Sequence, residues 1–386
     1  MKWVEKKTFE LYECSSGLSK SADQFGFGYP FLSYSDIFHN YFIPSELKTL
    51  VNATEKDRET CSIQRGDVFL TRTSETTEEL GMSCVALRTI ENATFNGFAK
   101  RLRPITDEIV PEYAAYFFRS PYFRKQCMSM ASLITRASLN SGMIQHLKIL
   151  YPQDKSSQEK IGGCLKNYDD LIENNNKRIK ILKQMAENLY KEWFVRFRFP
   201  GHETIPIENG IPKGWKVKKI KDCVKRLPFN QTYKANELES EGKVIVVDQS
   251  ADAYIGFHDN EPSHKANVES PILLFGDHSC KFVLMIKDFS LGENIVPFSS
   301  INTEWLNSYY LFYATHKIIE TTEYKRHWGQ FVSMKILVPS NTLQQKFSDF
   351  MKSIHKELDE LFIANMNLIK QRDLLLPRLM SGKLAV

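Results

Sequence analysis

Gln158 to Phe199 read QEKIGGCLKNYDDLIENNNKRIKILKQMAENLYKEWFVRFRF, and the rest of the chain is organised around this stretch. Ile161, Leu165, Tyr168, Ile172, Asn175, Ile179, Leu182, Ala186, Leu189 and Trp193 recur within it at intervals of four and three without a break. That spacing is the seam of a helix packed lengthwise on another helix. No proline interrupts it before Pro200. A second seam runs through Phe347, Met351, Ile354, Leu358, Leu361, Asn365, Leu368, Arg372, Leu375 and Leu379, with Pro377 expected to break it late. The two seams lie 186 residues apart in a chain of 386. Asn175 and Asn365 are polar seam positions of the kind that fix helix register at some cost in stability.

A repeat at half-length should extend beyond the helices. Leu147-Lys-Ile-Leu-Tyr-Pro152 precedes the first and Met334-Lys-Ile-Leu-Val-Pro339 the second, an offset of 187. Gly142 falls on Gly329 at the same offset, and Ile181-Leu-Lys-Gln184 on Leu368-Ile-Lys-Gln371. Glu112-Tyr113 is expected to match Glu304-Trp305, at 192. The rest of the two globular stretches hardly aligns, so the halves share a scaffold and differ in surface.

These segments carry a family resemblance. KRIKILKQMAENLYKEWFVRFRFPG (Lys177 to Gly201), IPKGW (Ile211 to Trp215) and LIKQRDLLLPRLMSGKL (Leu368 to Leu384) resemble the DNA-specificity subunit of Type I restriction-modification systems, and the likeness spans the chain. It implies an α+β fold in which two target-recognition domains are joined and separated by two long antiparallel helices, as a pseudo-two-fold internal repeat. The expected divisions are residues 1–152 for the first domain, 153–199 for the central helix, 200–339 for the second domain and 340–386 for the C-terminal helix. The resemblance also implies partners: double-stranded DNA, two methyltransferase (modification) subunits and a translocating restriction subunit. S-adenosylmethionine and ATP with magnesium would then belong to those subunits, with no cofactor in this chain.

Composition sets bounds. With 42% hydrophobic and 25% charged residues this is a folding sequence, and a net charge of +5 permits a polyanionic partner without requiring one. No run approaches the roughly 18 apolar residues of a membrane span, and Met1 to Glu13 has no apolar core of a secretory signal. Seven cysteines, at least 23 residues apart and with no CxxC pair, argue for reduced thiols in the cytoplasm.

From Met1 to Pro152 short aromatic-rich runs alternate with Gly, Ser, Thr and Asn turns, with one helix expected from Pro111 to about Gln126. Residues 200–212 read as a Pro/Gly/Glu linker, and Phe194 to Phe199 as a short extended exit. Lys213, Lys216, Lys218, Lys219, Lys221, Lys225 and Arg226 then face a single Asp222. Strands are expected at Val244–Val247, Ile272–Phe275 and Phe282–Ile286, and a helix near Glu304–Ile319.

Phosphates are met by Lys and Arg, and base edges are read by Arg, Asn, Gln, His, Ser or Asp. The DNA-contact candidates are Arg72, Arg101, Arg136, Asn140 and Ser141 in the first domain. In the second they are Asp277, His278, Lys281, Lys325, Arg326, His327 and Gln330. A solvated surface loop is the plainer reading of any one of them, and His258 and His264 are taken as surface residues. The helix-pair seam is assigned to Ile161, Leu165, Ile172, Ile179, Leu182, Leu189, Met351, Ile354, Leu358, Leu361, Leu368 and Leu375.

Catalytic equipment is missing from the pattern. Gly26-Phe-Gly28 lacks a third glycine, Gly382-Lys383 is followed by Leu, and Arg119-Ser-Pro-Tyr-Phe123 lacks the polar residue and second proline of an amino-methyltransferase motif. No catalytic residue and no metal ligand set is assigned. A self-contained DNA-modifying enzyme and a coiled-coil scaffold that binds only protein are the competing classes. If the helices run antiparallel, a two-fold reader presents its halves in opposite orientation, so the target should be two half-sites around unread bases. Helices of roughly 37 residues span ~55 Å, which bounds the reach at about 16 base pairs.

Overall fold

The computed structural model describes residues 1–130, 132–133, 137–320, 323 and 325–384. It divides into two compact units, residues 1–174 with 365–386, and residues 175–364. The first long helix is Lys155–Tyr190 and the second Asn341–Met380, so each unit holds one α+β domain and a part of both helices. Pro377 does not end the second helix as expected. It sits in the last turn, where losing one N–H removes only one ladder bond, and its carbonyl accepts from Ser381 N.

In the first unit, Trp3–Lys7 pairs antiparallel with Lys148–Pro152 as a two-stranded ribbon. A four-stranded sheet runs Tyr12–Ser16, Ala99–Pro104, Val68–Thr71, Ser83–Val85, and a three-stranded one Thr49–Val51, Phe25–Leu32, Thr94–Phe95. The expected single helix is two, Pro111–Phe117 and Pro121–Met130, because a proline ring at 121 cannot continue the helix before it. Ile161 and Leu165 of the first long helix share a core with Leu376 and Leu379 of the second, and Asp169 Oδ1 lies 2.5 Å from Arg372 Nη1. Earlier positions on one helix thus meet later positions on the other, which is antiparallel packing.

The second unit repeats the plan. Lys216–Lys219 pairs with Lys335–Val338, and a four-stranded sheet runs Val224–Arg226, Ile295–Ser300, Ile272–Gly276, Phe282–Met285. A second sheet places Val244–Val247 between Gly256–His258, antiparallel, and Phe289–Leu291, parallel. The helices are again antiparallel: Arg178 pairs with Glu357 at 2.7 Å, while Trp193 packs on Phe347 and Phe350.

Two expectations about the exit from the first helix are corrected. Lys191–Val195 forms a π turn, not an extended strand, and this wider turn lets the consecutive Trp193 and Phe194 both enter the core beside Phe347. Inside residues 200–212, Ile207–Glu208 pairs with Ile211–Pro212 across Asn209-Gly210, both at positive φ. This is an Asn-Gly hairpin turn, not open linker.

Along the long helices Ile161, Leu165, Met351 and Leu361 are buried. Ile172, Ile179, Leu182, Leu189, Ile354, Leu358, Leu368 and Leu375 are half-buried, whereas the off-seam Leu171, Ile181 and Met185 are exposed.

The repeat is written most clearly in buried polar contacts. Gln158, fully buried, accepts from Val110 N (2.8 Å) and donates to the carbonyls of Glu108 and Pro152. Gln344, also fully buried, accepts from Asn307 N (2.9 Å) and donates to the carbonyls of Trp305 and Pro339. Tyr113 donates to Leu150 O as Tyr310 does to Leu337 O. Tyr116 meets Asp169 where Tyr313 meets His355. The short helices before the long ones therefore match at an offset of 197, which replaces the expected match of Glu112-Tyr113 with Glu304-Trp305. Their helix in the second unit is Ser308–Thr315, later than expected, because Asn307 caps it through Tyr309 N. In the ribbons Lys7 stands opposite Lys148 and Lys219 opposite Lys335, so the opening strands match at 212 and Trp3 corresponds to Trp215. The offset falls from 212 through 197 to 187, and the second copy is shorter accordingly.

Candidate nucleic-acid interface

The first-domain candidates divide between a brace and a surface cluster. Arg101 is 8% exposed, and its Nη1 donates to Thr60 O at 3.2 Å and Ser62 O at 2.7 Å. Neighbouring Lys100 donates to Ser16 Oγ, and Arg103 makes a fork on fully buried Asp67 at 2.7 and 2.8 Å. Arg101 is thus corrected from DNA contact to internal strut. Its strand, Ala99–Pro104, is central in the sheet and buried on both faces from Ala99 to Leu102, which a run of basic residues hides. Arg119 and Arg124 are spent likewise: the first donates to Ser83, Ile37, Phe38 and Asn40 carbonyls, the second to Leu80 and Glu78.

Arg72, Asn140 and Ser141 are brought together. Arg72 follows the strand Val68–Thr71, its carbonyl accepts from Leu139 N at 2.9 Å, and Ser138 pairs with Thr73. Arg72 is half-buried, and its Nε has no hydrogen-bond partner among the described residues. Asn140 caps the helix Ser141–His146 by accepting from Met143 N, which occupies its carbonyl oxygen. Arg136 lies outside the described residues.

In the second domain the Asp277-His278 turn and the Lys325–Gln330 segment meet. Asp277 Oδ1 accepts from His327 N (3.1 Å) and Trp328 N (2.9 Å), so it caps the helix Trp328–Ser333. His327 is 1% exposed, its ring held between Gln330 Oε1 and Glu323 O. Lys281 Nζ binds the carbonyls of Asp248 and Asp252, and burial pulls its pKa down. Asp277, His327 and Lys281 are therefore corrected to loop-building roles: each satisfies main-chain groups that turns leave unpaired. His278, half-buried, donates its main-chain N–H to Gln249 Oε1. Lys325, Arg326 and Gln330 remain exposed, Lys325 paired with Glu323 and Arg326 3.9 Å from Asp277.

His258 and His264 are not surface residues. His258 stacks on Tyr233 at 4.2 Å and meets Ser290 Oγ; His264 stacks on Phe289 and meets Pro228 O. Desolvation lowers the pKa of both. Among the described residues no group of three His, Cys, Asp or Glu could hold a metal ion, and all seven cysteines are free.

Some features lie outside the candidate residues named from the sequence. Phe25 and Tyr29 both pair with Val51, so Gly26-Phe27-Gly28 is extruded from its strand, with Phe27 50% exposed at the tip. Both glycines have φ near +95°, and a Cβ on Gly28 would strike Val51 O, so the bulge requires glycine. Arg58 lies 4.1 Å over the Tyr29 ring and Arg226 4.5 Å over Trp328. Alternating Gly and aromatic residues were the available signal for the first.

Comparison with known proteins adds kinship to geometry. A family model described as Type I restriction modification DNA specificity domain matches residues 2–184. The MjaIX specificity subunit of Methanocaldococcus jannaschii is 25% identical, covering 100% of this chain and 94% of its own. The HindI specificity subunit of Haemophilus influenzae is 21% identical, over 98% and 99%. The crystal structure of a Type I restriction-modification S subunit from M. genitalium shares the fold, with a TM-score of 0.60, 13% identity, and coverage of 98% and 96%.

Proposed function

We propose, from the premise that this chain belongs to the DNA-specificity subunits of Type I restriction-modification systems, that its two domains read the two halves of an interrupted duplex target. Such a subunit is non-catalytic; it recognises a DNA sequence and assembles with methyltransferase subunits. The reading into two half-sites is carried by one observation. Gln158 and Gln344 clamp the same three main-chain groups in the two units, while the loops beyond them differ in length and side chains. A shared scaffold with unlike loops suits two unlike sequences.

In this proposal Arg72, Asn140 and Ser141 meet one half-site and Arg326 and Gln330 the other. The two long helices set the gap. Two methyltransferase subunits bind S-adenosylmethionine, a translocating restriction subunit binds ATP with magnesium, and the complex works on cytoplasmic DNA. No helix among the described residues is long and apolar enough to cross a membrane.

The test is co-expression with the methyltransferase subunit, followed by sequencing of methylated bases. A bipartite motif with an unread gap is expected. A contiguous motif defeats the two-domain reading, and methylation by the chain alone defeats the non-catalytic one. A gel shift of the assembled complex that finds no duplex binding favours a protein-only scaffold.

A further inference from the structure

The two ribbons share a register and differ in charge balance. In the first unit Lys7 stands opposite Lys148, a like-charge pairing that destabilises a sheet. A carboxylate relieves it: Lys148 Nζ lies 2.7 Å from Glu5 Oε1, and on the other face Lys6 Nζ is matched by Glu108 Oε1 at 2.7 Å. In the second unit Lys219 stands opposite Lys335 in the same register. Here the position of Glu5 is taken by Val217, 54% exposed, and that of Glu108 by Trp305. Lys216, Lys218, Lys219 and Lys335 are all exposed, and none has an ion-pair partner among the described residues. The repulsion was kept and the counterions were not.

We propose that this lysine ribbon is a docking site for the sugar–phosphate backbone of duplex DNA, separate from the base-reading loops; the proposal rests on the function argued above. Lysine is a mobile point charge, suited to phosphate and poorly suited to base edges. Alternate residues on a strand stand ~6.8 Å apart, about two nucleotide steps at ~3.4 Å of rise per phosphate, so Lys216 and Lys218 can follow one strand. The outward face carries Val217 and Leu337 but no aromatic anchor, which is what a protein interface would place at its centre. Lys219 and Lys335 share that face with Val217 and Leu337, while Lys216 and Lys218 stand on the other face, opposite Val338 and Ile336. Unneutralised lysines around an apolar patch this small fit a polyanion better than an acidic protein.

The experiment uses the assembled methyltransferase complex and a duplex carrying its methylated motif, with affinity measured across salt concentrations. Replacing Lys216, Lys218, Lys219 and Lys335 by Gln should flatten the slope of log affinity against log salt by between about two and four, at ~0.9 for each phosphate no longer neutralised. The methylated motif should stay the same. Val217→Glu restores the first unit's carboxylate without removing a lysine, and should flatten the slope by about one. It also guards against misfolding of the fourfold variant. An unchanged slope in both variants overturns the proposal while leaving specific DNA recognition intact. An altered motif assigns the ribbon to base reading and overturns it too, as does loss of a methyltransferase subunit with the slope retained, which would make the partner an acidic protein. Absence of duplex binding by the parent complex overturns this proposal together with the reading it rests on.

Discussion

Gln344 makes in the second unit the three main-chain hydrogen bonds that Gln158 makes in the first. Each glutamine ties the strand before a long helix to the start of the short helix packed against it. Replacing either by Leu keeps the volume close and strands a buried N–H and two carbonyls. Roughly 2 to 4 kcal/mol should be lost in each case. Hydrogen exchange should report the loss, with Gln158→Leu loosening amides of the first unit and Gln344→Leu those of the second. Loosening of both units by either change would contradict the independence of the two clamps.

The matched tyrosines have unlike partners, which makes stability depend on pH in the second unit. Burial, with a smaller contribution from Lys183, lowers His355 to about 4. Its Nε2 lies 2.9 Å from Tyr313 Oη. An unfolded histidine titrates near 6.5, so between these values the unfolded chain binds the extra proton. The stabilising contribution is complete above about 6.5 and is lost as pH falls toward 4, by roughly 1 to 3 kcal/mol. Denaturation curves at pH 7.5 and pH 5 should differ more for the parent than for His355→Gln, in which the buried His258 and His264 keep a share of the dependence. A parent as stable at pH 5 as at 7.5 would show that the imidazole is not held neutral.

Buried and exposed arginines should separate stability from specificity. Arg101→Gln removes a guanidinium from two carbonyls, so the protein should lose thermal stability and soluble yield while the methylated motif stays the same. Arg326→Ala should do the reverse, changing one half of the motif with little effect on unfolding. Removing a bidentate hydrogen bond to a base costs ~1 to 3 kcal/mol of discrimination, a change of about tenfold that methylome sequencing resolves. If Arg101→Gln altered the motif, the internal-strut assignment would fall.

A heptad inserted after Leu182, with a matching heptad beside Leu358, should keep both seams in phase. The added length is ~10 Å, or at most ~3 base pairs. The methylated motif should keep both half-sites with a wider gap, and affinity should fall because that gap turns one half-site by roughly 100° around the duplex. An active variant with the original gap would remove the helices from the role of spacer.

The helices were legible because ten successive seam positions obey one rule, and no loop can interrupt it. The repeat was legible only where nothing had been inserted, at the offsets of 186 and 187. Trp3 and Trp215 occupy the same place in the two ribbons, yet 212 residues separate them, and that match was invisible without the strand register. Side-chain direction was the least legible feature. Arg101 and Arg326 both sit in basic clusters, but one faces into a sheet and the other into solvent, because a strand buried on both faces shows no alternation to read. The Asn209-Gly210 turn was readable and was lost inside a stretch judged by its prolines.

The drift in offset, from 212 through 197 and 187 to 186, stops in the first turn of each long helix, at Gln158 and Gln344. A single residue added within a helix rotates everything after it by about 100° and carries the seam off its partner. Additions within a domain disturb neither. Length variation is therefore confined to the globular domains, and each long helix keeps its seam in one phase. Genetic exchange with a crossover inside an in-phase helix would join a foreign domain to the chain with the seam intact. The chain is built so that its domains can be exchanged one at a time.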